Sequence, residues 1–161
     1  MAVWIFHPAA IGGNMMKGFE RNDLLFSLCG LICGLCAMNL SGYCPGCGGG
    51  EGNQACAVAR CSMQKGQVEY CFQCKDFHCG RYQGEEEYDS FITHRNRMRD
   101  LEKMREAGAE AYGAEQKERV RILHDFLDHY NDGRRKNLYC LAANLLELEE
   151  KRKQIRRNEN V

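Results

Sequence analysis

Ten of the eleven cysteines fall between Cys29 and Cys79, about a third of the chain. Their spacing is C-x3-C-x2-C-x7-C-x2-C-x8-C-x4-C-x9-C-x2-C-x4-C, with many glycines between. A segment of this composition buries little apolar surface and is marginal unless disulfides or metal cross-link it. Disulfides belong to secreted chains, which carry a cleavable signal. The opening "MAVWIFHPAAIGGN" has no basic start and too short an apolar run. Residues 1–16 are read as a leader outside the fold, with Met15 and Met16 as alternative starts. The expectation is a cytoplasmic protein whose thiols stay reduced and bind metal.

Two pairs carry the metal signal: Cys44 and Cys47 in "YCPGCGGG", and Cys71 and Cys74 in "YCFQCKDF". A C-x2-C spacer lets two thiolates converge from one tight turn on one ion, and a following glycine lets backbone amides approach sulfur. Two such knuckles predict a tetrahedral zinc site of ribbon type formed by Cys44, Cys47, Cys71 and Cys74. Cys29, Cys33 and Cys36 supply three ligands to a second site. Its fourth is expected from Cys79, with Cys56, Cys61 or His78 as alternatives. Two zinc ions are therefore expected. A [4Fe–4S] cluster is the alternative occupant, since both accept four thiolates.

Four rival readings of the cysteine-rich segment, three of them of "CGLICGLC" (29–36), are weaker. C-x3-C-x2-C is the cluster motif of radical S-adenosylmethionine enzymes, but those need a large α/β barrel, and no alternation of strands and helices follows Cys36. The apolar run over 24–40 is short of the roughly 20 residues of a membrane span. As a lipoprotein signal it lacks a small residue before Cys29 or Cys33. Thioredoxin-like cycling fits poorly, because those motifs open a helix after a strand, whereas "CPGCGGGEGN" opens a glycine loop.

Residues 85–161 have the opposite character. Tyr88, Phe91, Ile92, Met98, Leu101 and Met104 recur at helical spacing over Glu85–Ala107, and Gly108 is a natural stop. Val120, Leu123, Phe126, Leu127 and Tyr130 mark a second helix over Ala114–Tyr130, closed by "NDG". A third spans Lys136–Lys153, with Leu138, Leu141, Ala142, Leu145, Leu146 and Leu148 expected inward. Short connections predict a three-helix unit. The fold class expected is small α plus irregular: a metal-stabilised, zinc-ribbon-like module over 17–84, with a helical unit over 85–161 packed on it.

Lys+Arg and Asp+Glu are equal at 22 each, so no global field draws the chain to nucleic acid. "RNRMR" (95–99) reads as a solvated helix face and "KRKQIRR" (151–157) as a basic helix end, neither interleaved with aromatics. Cys140 reads as a small core residue, and His94, His124 and His129 as solvated or satisfied histidines. No Ser-His-Asp pattern, paired carboxylates, P-loop or dinucleotide fingerprint is legible, which directs the reading away from an enzyme.

The motifs "CGLICGLC", "CPGCGGG", C-x4-C, "KGQVEYCFQC", "DFHC" and the later "YNDGRRKNLYCLAANLL" resemble a family of small prokaryotic proteins of unassigned function, catalogued as domain of unknown function 3795. The cysteine block matches over 29–79 and the helical tail resembles the longer members. The resemblance implies zinc and brings no activity with it. The expected function is an interaction or regulatory module that presents a metal-braced surface to a protein partner. Nucleic acid is less supported, and no membrane is expected. A redox or cofactor-handling iron–sulfur protein is the alternative.

Overall fold

The computed structural model describes residues 18–50, 56–84 and 87–149. Among them there is no β-strand; helices and turns make up the architecture. The 24–40 run folds as a 3-10 turn, Cys33–Leu35, and a single helical turn α1, Ala37–Leu40. Helix α2, Ala57–Gln64, follows, then 3-10 turns at Cys71–Gln73 and Gly80–Tyr82. Three longer helices follow among the described residues: α3, Arg97–Ala107; α4, Ala109–His129; and α5, Lys136–Leu145. No helix among the described residues is long and apolar enough to cross a membrane.

One apolar cluster joins the two halves of the sequence. Phe26, Ile32, Leu35 and Tyr70 from the thiol-rich segment pack with Leu101, Met104, Tyr112, Leu123, Cys140 and Ala143 from the helices. Phe26 meets Tyr112 edge-on at 5.4 Å between ring centroids. Leu35, Leu101, Met104 and Leu123 are fully buried, each contributing roughly 2 kcal/mol by area removed from water. A smaller cluster of Phe19, Leu28, Val58 and Ala59 lies beneath Cys29, Cys47 and Cys71. Cys140 is buried in the main core, the place expected of a small core residue.

The helical expectations need four corrections. First, 87–96 is not helical, and Tyr88 and Phe91 face solvent. Asp89 is the cause: its Oδ1 accepts the Thr93 hydroxyl and the His94 amide, a local turn that competes with a helix. Those bonds hold its carboxyl below the usual range. Second, α4 starts at Ala109, separated from α3 only by Gly108 at φ 86°, because Tyr112 is drawn into the core.

Third, α5 buries a different face. Cys140, Ala143 and Asn144 point inward, while Leu138, Leu141 and Leu146 are exposed. Small residues let α5 approach the Cys33–Leu35 turn closely. Asn144 Nδ2 donates to Cys140 O at 2.8 Å and to Leu35 O at 3.5 Å. The helix stops at Leu145, where buried Arg119 of α4 donates to Leu146 O at 2.8 Å and Ala143 O at 3.4 Å. That guanidinium satisfies carbonyls a helix end leaves without partners. Residues 150–153 of the expected helix, and "KRKQIRR", lie outside the described residues. Fourth, "RNRMR" is not a uniformly solvated face: Arg97 is buried and lies over the Tyr82 ring at 4.8 Å.

Candidate metal centre

The positions of the thiols follow from two local devices. Arg21 fixes the first. Its buried guanidinium donates to Phe26 O and Glu69 O, each at 2.9 Å, and to Cys47 O at 3.3 Å. It thereby ties the start of the thiol-rich segment to the Cys44–Cys47 knuckle and to the approach to Cys71. Gly48 allows this, since a Cβ there would sit 2.8 Å from the Arg21 backbone nitrogen, and its φ is +84°. The second device is the Cys71–Gln73 turn. Tyr70 N donates to Gln73 Oε1 at 3.1 Å and Cys74 N to Cys71 O at 3.0 Å, so Cys71 and Cys74 project from one tight turn. Tyr70 also donates to Asp23 Oδ2 at 2.8 Å.

All eleven sulfurs are thiols. Cys33 lies beside Cys47, Cys29 and Cys44, and Cys47 is also beside Cys29. Cys61, Cys71, Cys74 and Cys79 line one cavity of about 360 Å³, together with Val58, Val68, Phe77 and Tyr82. Cys71 stands next to Cys29, Cys79 and Cys61. The cavity wall therefore combines two thiols expected in the first site with Cys79, expected in the second, and with Cys61. Cys36 lies apart from these groups: its thiol points to Phe91 O at 3.8 Å and neighbours Cys140. Cys56, beside Cys29, is exposed. His78, at φ 69°, reaches Glu102 Oε1 with its Nε2 at 2.5 Å. Among the described residues, no three His, Cys, Asp or Glu side chains converge closely enough to hold a metal ion as they stand.

The surroundings of the sulfurs are nonetheless those a thiolate needs. Backbone amides of Leu31, Cys47 and Leu28 serve the sulfurs of Cys29, Cys33 and Cys47 respectively, and the Ser27 hydroxyl lies 3.3 Å from Cys29 Sγ. The buried guanidiniums of Arg21 and Arg97 stand beside Cys47 and Cys29. The buried Tyr82 hydroxyl is aimed at Cys71. Burial outweighs these groups and pushes Cys29 and Cys47 upward, and Cys33 and Cys71 up to about 12. At neutral pH the thiols of Cys29, Cys33, Cys47 and Cys71 are therefore held protonated. A cation supplies the charge that reverses the balance, since a coordinated thiol is deprotonated outright. The donor set fits a thiophilic metal in chemistry, while the sulfurs have to draw together to bind a single ion.

Sequence reasoning missed Arg21, Arg97 and Tyr82, because a buried arginine or a tyrosine at a sulfur leaves no spacing signature. Compared with protein-family models, with curated proteins and with solved structures, the chain matches none.

Proposed function

We propose that this is a cytoplasmic metal–thiolate protein in which zinc orders residues 29–79 and braces a surface for a protein partner. One observation carries the reading: amide donors and two buried guanidiniums surround sulfurs that carry no charge without a metal. A tetrathiolate zinc site bears a net charge of about −2, and the residues beside Cys29 and Cys47 are those that would neutralise it. The metal would contribute folding free energy directly, as in zinc fingers. Membership of the small prokaryotic family that the cysteine block resembles would agree with this reading and add no activity, though the chain matches no family model.

A second reading has its own support. The thiols of Cys61, Cys71, Cys74 and Cys79 stand around a cavity instead of meeting at a point. Four thiolates around such a space also suit a [4Fe–4S] cluster. Elemental analysis of anaerobically purified protein decides. Colourless protein with about two zinc ions supports the first reading. A brown preparation with iron, sulfide and absorbance near ~400 nm replaces it with the second. Protein that neither carries nor takes up either metal refutes both.

A further inference from the structure

The two C-x2-C knuckles, which sequence logic would join into one site, face different neighbours. Cys44 and Cys47 lie with Cys33 and Cys29. Cys71 and Cys74 lie on the wall of the 360 Å³ cavity, which neither Cys44 nor Cys47 reaches. One face of α2, with its C-cap residue Lys65, shares the wall. Val58, Cys61, Ser62 and Lys65 follow one another at helical spacing, and all four line the cavity. The third side is the turn after Cys79, where Tyr82 N donates to Cys79 O at 3.3 Å and places the ring in the wall.

We propose that Cys61, Cys71, Cys74 and Cys79 form one four-thiolate centre in this cavity, for a thiophilic metal. The inference rests on the metal–thiolate reading above and assigns the ligands that spacing leaves open. Four features support this set. The thiols come from a helix and two turns within residues 61–79, so no distant segment has to move for them to converge. Val58, Val68 and Phe77 make the wall around the thiols largely apolar. The Tyr82 hydroxyl supplies a donor to a Cys71 thiolate. An ion pair between Lys65 and Asp76 clips the end of α2 to the Cys74 turn at the cavity's edge. Cys29, also beside Cys71, is not on the wall. Binding forms four metal–sulfur bonds and releases the thiol protons to solvent.

Metal equivalents bound by paired variants of the full chain test the assignment, with zinc in one arm and iron plus sulfide in the other. If the four share a centre, C71S/C79S loses one equivalent of two and C44S/C71S loses both. Crossed knuckles invert this result: C71S/C79S loses both and C44S/C71S keeps one. That outcome overturns the assignment but leaves the metal reading intact, whereas wild-type protein that takes up no metal in either arm defeats the reading itself. Alkylation of unmutated protein loaded with substoichiometric metal gives a check free of misfolded variants. Cys61, Cys71, Cys74 and Cys79 should be protected together; protection of Cys44 and Cys47 in step with Cys71 and Cys74 refutes the proposal. The arm that yields the stable centre identifies the occupant.

Discussion

Replacing Arg21 with methionine removes the fork that joins three parts of the thiol-rich segment while keeping an apolar stem of similar length. The side chain is 1% exposed; its bond to Phe26 O is buried, and those to Glu69 O and Cys47 O are partly so. Three carbonyls lose a charged donor: Phe26 O, Glu69 O and Cys47 O. A buried acceptor left without a partner costs about 1–3 kcal/mol, and the three together give an upper figure of ~9. Two effects reduce it. Removing the guanidinium also removes the cost of burying a charge. The Glu69 carboxylate is not stranded, since it is 25% exposed and keeps the amides of Asn22 and Asp23 at 3.1 and 2.8 Å. The expected loss is about 4 kcal/mol, in the range for breaking a buried ion pair. With a urea dependence of ~2 kcal/mol per molar, the midpoint of unfolding should fall by about 2 M, followed by helical circular dichroism at fixed metal content. A fall below about 0.5 M would refute the claim that Arg21 holds this segment together.

Gly48→Ala places a methyl group 2.8 Å from Arg21 in a left-handed backbone, and about 2–4 kcal/mol should be lost. Gly66→Ala shares the left-handed φ, +87°, with nothing within 4 Å, and should cost only ~1 kcal/mol; equal losses in urea melts would remove the close-approach argument. Asp100 is buried, and desolvation raises its carboxyl to about 6 despite the Tyr112 hydroxyl and the charges of Arg99, Arg119 and Lys103. Its folded pKa lies above the unfolded value near ~3.9, so the native state binds the extra proton between about pH 4 and 6 and stability from this group falls as pH rises. Asp100→Asn should flatten that slope and raise stability at pH 7 by up to about 3 kcal/mol; a variant less stable at pH 7 than at pH 4 relative to wild type would contradict the sign.

The parts of the fold legible in the sequence are those set by local chemistry. Gly108 and Gly133, both with positive φ, mark the breaks between helices, and Cys140 is the core residue its apolar neighbours suggest. The tight turn from Cys71 to Cys74 follows from the x2 spacer. What was illegible depends on the path of the chain in space. Counting leucines placed the wrong face of α5 inward, because the close contact with the Cys33–Leu35 turn selects Ala143 and Asn144 over larger side chains. Arg97 reads as part of a solvated face, and Arg21 and Arg119 leave no pattern of their own, yet each is buried by contacts that no periodic pattern encodes. The same applies to the thiols. Spacing shows which two cysteines share a turn, whereas the neighbours of that turn are set by α2, whose Cys61 stands on the cavity wall.

The core shared by Phe26, Leu35 and Tyr70 with Leu101, Met104 and Leu123 makes the two halves of the chain one thermodynamic system. Any ligand that binds only the folded thiol-rich segment lends its binding free energy to the helices as well, by mass action. At a hundred times its dissociation constant that amounts to about 2.7 kcal/mol, a large fraction of what a small domain has in total. Helices α3, α4 and α5, which contribute no cysteine to the cavity wall, would then unfold at a temperature set by the free concentration of an ion they never touch.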